Sequence, residues 1–71
     1  MRYNEDKIKF YQGMNVKLLN KTNSVVIGVL NNRDEDYVEI INENKTISVV
    51  NKCNIIRICK AGDIENNNNT N

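Results

Sequence analysis

Residues 15–41 read NVKLLNKTNSVVIGVLNNRDEDYVEII, and the fold can be inferred from this stretch. It holds three short apolar runs that are separated by two polar clusters rich in Asn and Asp. Short β-branched runs between such clusters predict strands joined as a meander. Gly28 lies inside the middle run, where a glycine marks a sharp bend or a close approach of another backbone. We expect a long strand that bends at Gly28 and curls the sheet.

The same pattern continues on the C-terminal side. The predicted strands are residues 15–19, 24–30 or 31, 37–41, 46–50 and 55–59. Five short strands with tight connections predict a mainly β fold, a small, strongly bent antiparallel barrel. The second strand is apolar on both faces, which predicts cover on both, with a neighbouring subunit as one source of that cover.

The flanking segments carry weaker signals. Residues 1–12 are a lead-in in which residues 1–6 are polar and loose, and residues 7–11 form either a short helix or a lead-in strand. Residues 13–60 are the barrel. Residues 61–71 form an Asn-rich tail with one apolar residue, Ile64, and too little apolar surface to order it, so we expect disorder.

Composition restricts the function. The 71 residues include nine Ile and seven Val but three Leu and one Ala, a balance that favours strands. The net charge of +1 is no signature of polyanion binding, although acidic residues concentrate in the middle of the chain and basic residues towards both ends. The chain shows no signal peptide and no apolar run of about 20 residues, so we expect a cytoplasmic protein with no membrane contact.

The chain offers little for catalysis. It contains two cysteines, Cys53 and Cys59, and no histidine, so the thiols alone cannot complete a tetrahedral zinc site. No general-acid partner such as histidine is available to either thiol, and the carboxylates cluster in one loop. We therefore expect a non-enzymatic protein without a cofactor or metal.

Gly28, Leu30 and Asp34 stand at a characteristic spacing, and the third strand ends in an apolar pair. In these features residues 13–58 resemble the Sm-like proteins, which include the bacterial Hfq RNA chaperone and the Sm rings of eukaryotes and archaea. The chain is also similar to small Sm-like proteins of spore-forming bacteria, in which an Asp-Tyr-Val-Glu-like run follows the bent strand. The matching apolar positions are Val16, Leu18, Val26, Ile40, Ile41, Val50, Ile55 and Ile58.

The resemblance implies a strongly bent barrel and a homo-oligomeric ring. It implies RNA readout less strongly, because Val38 occupies the position of the Asn with which Sm proteins read a base. Asn51 and Lys52 occupy the positions of the family's Arg-Gly pair. Hfq has Tyr-Lys-His before its last strand, where this chain has Asn51-Lys52-Cys53 and retains the lysine alone.

Two functions follow as expectations. The first is binding of single-stranded RNA on an Sm-like ring, since loops around a pore would supply hydrogen-bond donors and a stacking ring. The acidic residues 34–36 beside those loops would repel phosphate. The second is a structural or protein-interaction barrel that self-assembles through its fourth and fifth strands, binds a protein partner and binds no nucleic acid. The predicted RNA-binding residues are Asn32, Arg33, Tyr37, Asn51, Lys52 and Asn54.

A purely structural interpretation of these residues competes with the functional one. Asn32 and Asp34 are of the type that satisfies turn backbone groups, and Tyr37 is a candidate for the core. Both interpretations remain open from the sequence.

Overall fold

A computed structural model describes residues 1–62. The chain forms one antiparallel five-stranded sheet preceded by a short helix, and the strands lie in the order β4-β3-β2-β1-β5. The elements are α1 (Glu5–Tyr11), β1 (Asn15–Asn20), β2 (Val25–Asn32), β3 (Tyr37–Ile41), β4 (Ile47–Asn51), a 3-10 helix (Lys52–Asn54) and β5 (Ile55–Lys60).

The predicted fold class is confirmed: the fold is mainly β, with five antiparallel strands and a short N-terminal helix. The sheet does not close into the predicted barrel, since β4 and β5 are its two edges and do not pair within residues 1–62. The N-terminal arm, residues 1–4, contacts the 3-10 helix and β5. The Tyr3 N–H donates to the Lys52 carbonyl at 3.0 Å, and the Tyr3 hydroxyl accepts from the Ile58 N–H at 3.2 Å.

Strand β2 changes partner near its middle. Its pairing with β1 runs from Leu19 opposite Val25 to Asn15 opposite Val29, and its pairing with β3 begins at Val29 opposite Ile41. Gly28 lies at this handover, where an added Cβ would stand 2.5 Å from the Ile41 carbonyl oxygen. The glycine is therefore required for a close backbone approach, one of its two predicted roles.

The β1–β2 and β3–β4 turns share one hydrogen-bond pattern. In the first, the Asn20 side chain accepts from the N–H groups of Thr22 and Ser24, and in the second Asn42 accepts from those of Asn44 and Thr46. The fourth residue of each turn, Asn23 or Lys45, has a positive φ, as in hairpin loops built on a type I turn. In each turn the side-chain oxygen of the first residue, an asparagine, accepts from the N–H groups two and four residues later. These backbone donors are therefore satisfied without water.

Helix α1 resolves the alternatives at the N-terminus. Its N-cap is Asn4, whose side chain accepts from the Lys7 N–H at 3.1 Å, and Glu5 and Asp6 occupy the first turn. Residues 4–6 are thus not loose, contrary to the prediction. The helix places Ile8 in the core with no exposed surface.

The core lies on the inner face of the sheet. It is formed by the alternate residues of the strands that face α1, and the partly buried Tyr3, Tyr11, Met14 and Val26 pack around it. The core residues are Ile8, Val16, Leu18, Leu30, Val38, Ile40, Val50, Ile55 and Ile58. Tyr37 is not among them: it is partly exposed.

The outer face of the sheet is apolar, and no element of residues 1–62 covers it. Val25, Ile27 and Val29 of β2 are 40–53% exposed, as are Ile47 and Val49 of β4. The chain itself therefore covers the inner face of the second strand, and the expected cover of the other face by a neighbouring subunit stays a prediction. The predicted disordered tail, residues 61–71, lies outside the described residues from residue 63 onward.

Candidate nucleic-acid interface

The two predicted RNA-facing loops lie side by side. The loop between β2 and β3 contacts the 3-10 helix through the Lys52 N–H, which donates to the Asp36 carbonyl at 2.8 Å. The Lys52 ammonium donates to the Asp34 carbonyl at 2.6 Å. The fold thus brings the β2–β3 loop, with Asn32, Arg33 and Tyr37, beside Asn51 and Lys52, whereas Asn54 contacts Lys21 of the β1–β2 turn. The six side chains differ in how many of their polar groups remain available to a ligand.

Lys52 is committed to the protein interior. It is 1% exposed, and its Nζ lies 3.1 Å and 3.3 Å from the two carboxylate oxygens of Glu5. A buried ammonium without a partner is costly, so the pairing with Glu5 is a condition of this burial. The lysine ties the 3-10 helix to α1 and to the β2–β3 loop, and it has no exposed charge for phosphate.

Asn32 joins the same network. Its side-chain amide donates to the second carboxylate oxygen of Glu5 at 2.9 Å, and its backbone N–H donates to the Gln12 side chain at 2.7 Å. Its side-chain oxygen is buried and has no partner within the described residues. Hydrogen bonds from Asn32 and then from Lys52 lower the pKa of Glu5 below its ordinary value of 4.5.

Asp34 and Asn51 serve the local backbone. The Asp34 carboxylate accepts from the N–H groups of Tyr37 at 2.8 Å and Asp36 at 2.9 Å, and these bonds lower its pKa. The Asn51 side chain accepts from the Cys53 N–H at 2.8 Å and caps the 3-10 helix. The structural interpretation of Asp34 therefore holds in this structure.

Arg33, Tyr37 and Asn54 retain exposed surface. The Arg33 guanidinium lies 6.0 Å from the centre of the Tyr37 ring, a cation–π geometry, and its Nε is 3.8 Å from carboxylate oxygens of both Asp34 and Glu39. Asn54 is exposed, and its carbonyl accepts from the Lys21 N–H.

Sequence reasoning missed the part played by residues 2–5. The Arg2 guanidinium donates to the Glu35 carbonyl at 2.7 Å and lies 3.6 Å from the Asp36 carboxylate, so it offsets the acidic loop. Glu5 and Tyr3 hold the 3-10 helix from the same side. The Asn4-Glu5-Asp6 sequence was a readable helix-start signal, but nothing in the sequence indicated partners about 30 and 50 positions away.

The residues that the structure describes offer few other features that could bind a metal or a ligand. Cys53 and Cys59 are unpaired and half-buried, and no three acidic or thiol side chains of residues 1–62 come together as metal ligands. No helix within these residues is long and apolar enough to cross a bilayer. An open cleft of about 650 Å³ lies between β2 and the β3–β4 turn, lined by Ile27, Val29 and Ile41 with polar residues at its rim.

Comparison with protein-family models and with curated proteins gives no match for this chain. The site must therefore be judged from its geometry.

Proposed function

We propose that the chain is a self-assembling structural module whose copies join edge to edge, β4 of one copy against β5 of the next. This is the second of the two functions that the sequence suggests. The observation that carries it is the β4 edge, where Ile47 is 53% and Val49 49% exposed on a strand whose outer side pairs with no strand of residues 1–62. Such an edge is a template for another strand.

The β4 edge lacks the devices that keep natural edges apart. None of its five residues, ISVVN, is charged or a proline, and no charge points inward. Sheets with exposed edges usually carry lysine, proline or a bulge for this purpose. An unprotected edge of this kind is expected where pairing is the function.

The β5 edge offers a complementary surface. It carries the exposed Ile56, along with Arg57 and Lys60, while Glu39 of β3 lies opposite Val49 one strand in from the β4 edge. Pairing β4 with β5 would cover Ile47, Val49 and Ile56 and bring basic residues towards an acidic one. The contact is head-to-tail, so it generates a ring if the rotation closes and a filament if it does not.

Most of the predicted RNA-binding side chains already form hydrogen bonds or ion pairs within the chain, and this supports assembly over RNA binding. Lys52 and Asn32 are engaged with Glu5, Asn51 is a cap, and Arg33 faces two carboxylates. A phosphate backbone requires cations that are free to replace counterions. The apolar β4 edge, in contrast, pairs with no other strand among the residues that the structure describes beyond its inner neighbour β3.

Replacement of Val49 with Lys tests the proposal. The side chain is half-exposed in the single chain, so the fold should tolerate the change, while a charge at the centre of a paired edge should weaken assembly about tenfold or more. Val25→Lys is the matched control, at 52% exposure on an inner strand. Sedimentation should show assembly of the parent chain and of Val25→Lys and monomers of Val49→Lys; a monomeric parent chain at high concentration would remove the proposal.

RNA binding on an Sm-like ring remains a second candidate because the Arg33 guanidinium and the Tyr37 ring form an exposed stacking pair. Titration of labelled A-rich and U-rich oligonucleotides tests it. A plot of the logarithm of the binding constant against the logarithm of the salt concentration should have a slope of roughly −0.7 for each phosphate contacted. Arg33→Ala should reduce the affinity. An absence of binding at low salt excludes this candidate and leaves the edge-assembly proposal in place.

A further inference from the structure

The N-terminal arm occupies one of the two edges that the proposed assembly needs. Along an antiparallel edge strand, alternate residues turn both their N–H and C=O groups away from the sheet. The Ala61 N–H bonds inward to the Asn15 carbonyl, so Ile58 and Lys60 are the residues of β5 that turn outward. The Ile58 N–H is the group that the Tyr3 hydroxyl accepts from.

Three contacts position the tyrosine. The Tyr3 N–H donates to the Lys52 carbonyl at 3.0 Å, the ring packs against the core, and the preceding Arg2 donates to the Glu35 carbonyl at 2.7 Å. The hydroxyl therefore stands 3.2 Å from the Ile58 nitrogen, where the carbonyl of an adjacent strand would otherwise lie.

We propose that Tyr3 is a displaceable cap on the β5 edge, which an incoming β4 of a second copy replaces during assembly. This inference rests on the proposed edge-to-edge function. On β4, the inward bond from the Lys52 N–H to the Asp36 carbonyl leaves Ile47, Val49 and Asn51 with outward backbone groups. One of their carbonyls takes the Ile58 N–H, and the released Tyr3 hydroxyl bonds to water.

The Tyr3 hydroxyl and the incoming strand compete for the same Ile58 N–H, so the cap weakens assembly without preventing it. The Ile58 N–H exchanges its bond to the Tyr3 hydroxyl for a bond to the incoming strand, so the arm raises the concentration at which copies join. A single net hydrogen bond corresponds to about a two- to tenfold change in an equilibrium constant. The cap acts on β5 alone, so within residues 1–62 the β4 edge is unpaired and the β5 edge is capped at Ile58.

Tyr3→Phe isolates the hydroxyl, because the ring and its packing stay. We expect the assembly dissociation constant to fall about two- to tenfold relative to the parent chain. The matched control is Tyr11→Phe, which makes the same chemical change at another partly buried tyrosine against the core and should assemble as the parent chain does. Arg2→Ala, which loosens the arm but keeps the hydroxyl, should shift assembly in the same direction as Tyr3→Phe.

Amide exchange supplies a second measurement. In dilute, monomeric samples the Ile58 N–H should exchange faster in Tyr3→Phe than in the parent chain, and it should be protected in both once assembled. Equal or weaker assembly of Tyr3→Phe overturns the cap while the edge-to-edge function stands if the parent chain assembles. If neither chain assembles at high concentration, both the cap and the proposed function fail.

Discussion

The two faces of β2 experience different environments along one strand. On the inner face, Gly28 and Leu30 are buried and another backbone passes too close for even a methyl group at position 28. On the outer face, Val25, Ile27 and Val29 are 40–52% exposed, although they are as apolar as the inner residues. The apolar character of a residue therefore does not show whether it stabilises the fold. The buried inner face stabilises the single chain, and the exposed outer face is available for contacts between chains.

Leu30→Ala should produce the largest loss, and Ile27→Ala is its counterpart on the other face. Leu30 is fully buried, so the truncation should lower the free energy of unfolding by about 3–4 kcal/mol through lost burial and a residual cavity. Ile27 is 49% exposed, and its truncation should cost roughly 1 kcal/mol or less. Denaturant titration of both variants at a concentration that keeps the chain monomeric makes the comparison; equal losses would contradict the division between the faces.

Gly28→Ala should be the next largest. The added Cβ would stand 2.5 Å from the Ile41 carbonyl oxygen and 2.7 Å from its carbon, so the β2–β3 handover must shift. Overpacking of this kind costs about 1–3 kcal/mol. Gly13→Ala is the control with open space around it, although a φ of +81° makes it strained by about 1 kcal/mol. A tolerated Gly28→Ala would show that the close approach relaxes without loss.

The strands were predictable because each depends on local signals. Alternation places Val16 and Leu18 on one face, and the observed β3 matches the predicted residues 37–41. The turns at Asn20 and Asn42 follow from the asparagine side chain itself. The errors at strand ends are one or two residues, where the last pairs of a hairpin depend on its turn geometry.

Closure and the site depend on contacts that no local pattern encodes. The sequence predicts a barrel, but β4 and β5 do not pair within residues 1–62, and the Ile58 N–H of β5 donates instead to the hydroxyl of Tyr3, 55 positions earlier. Lys52 illustrates the same limit. A lysine in a turn is expected at the surface, and its burial depends on Glu5, 47 positions away. The placement of Lys52 on a pore remains a prediction, and its buried ion pair gives it a structural role as well.

Loss of the ion pair between Lys52 and Glu5 should have a smaller effect on stability than Leu30→Ala, and it should give stability a distinct pH dependence. Glu5→Gln removes the charge that Lys52 faces and should lower the free energy of unfolding by about 1–2 kcal/mol, less than for a fully buried pair because the Glu5 side chain is 44% exposed. Since the folded-state pKa of Glu5 lies below 4.5, its contribution is present above pH 4.5 and is lost as the pH falls through that lowered pKa.

Urea titrations between pH 7 and pH 3 separate this contribution from the rest. The loss of stability below pH 4.5 should be shallower in Glu5→Gln than in the parent chain, because the variant has one carboxylate fewer to protonate. Asp34 has a lowered pKa as well, from the backbone N–H groups of Tyr37 and Asp36, so part of the acid loss should persist in the variant. Glu35→Gln is the control, since its side chain is 82% exposed and its ion pair with Arg2 is 3.8 Å long. If Glu35→Gln and Glu5→Gln were equally stable at pH 7, the Lys52 pair would contribute nothing, and the burial of that lysine would have to be stabilised by the Asp34 carbonyl alone.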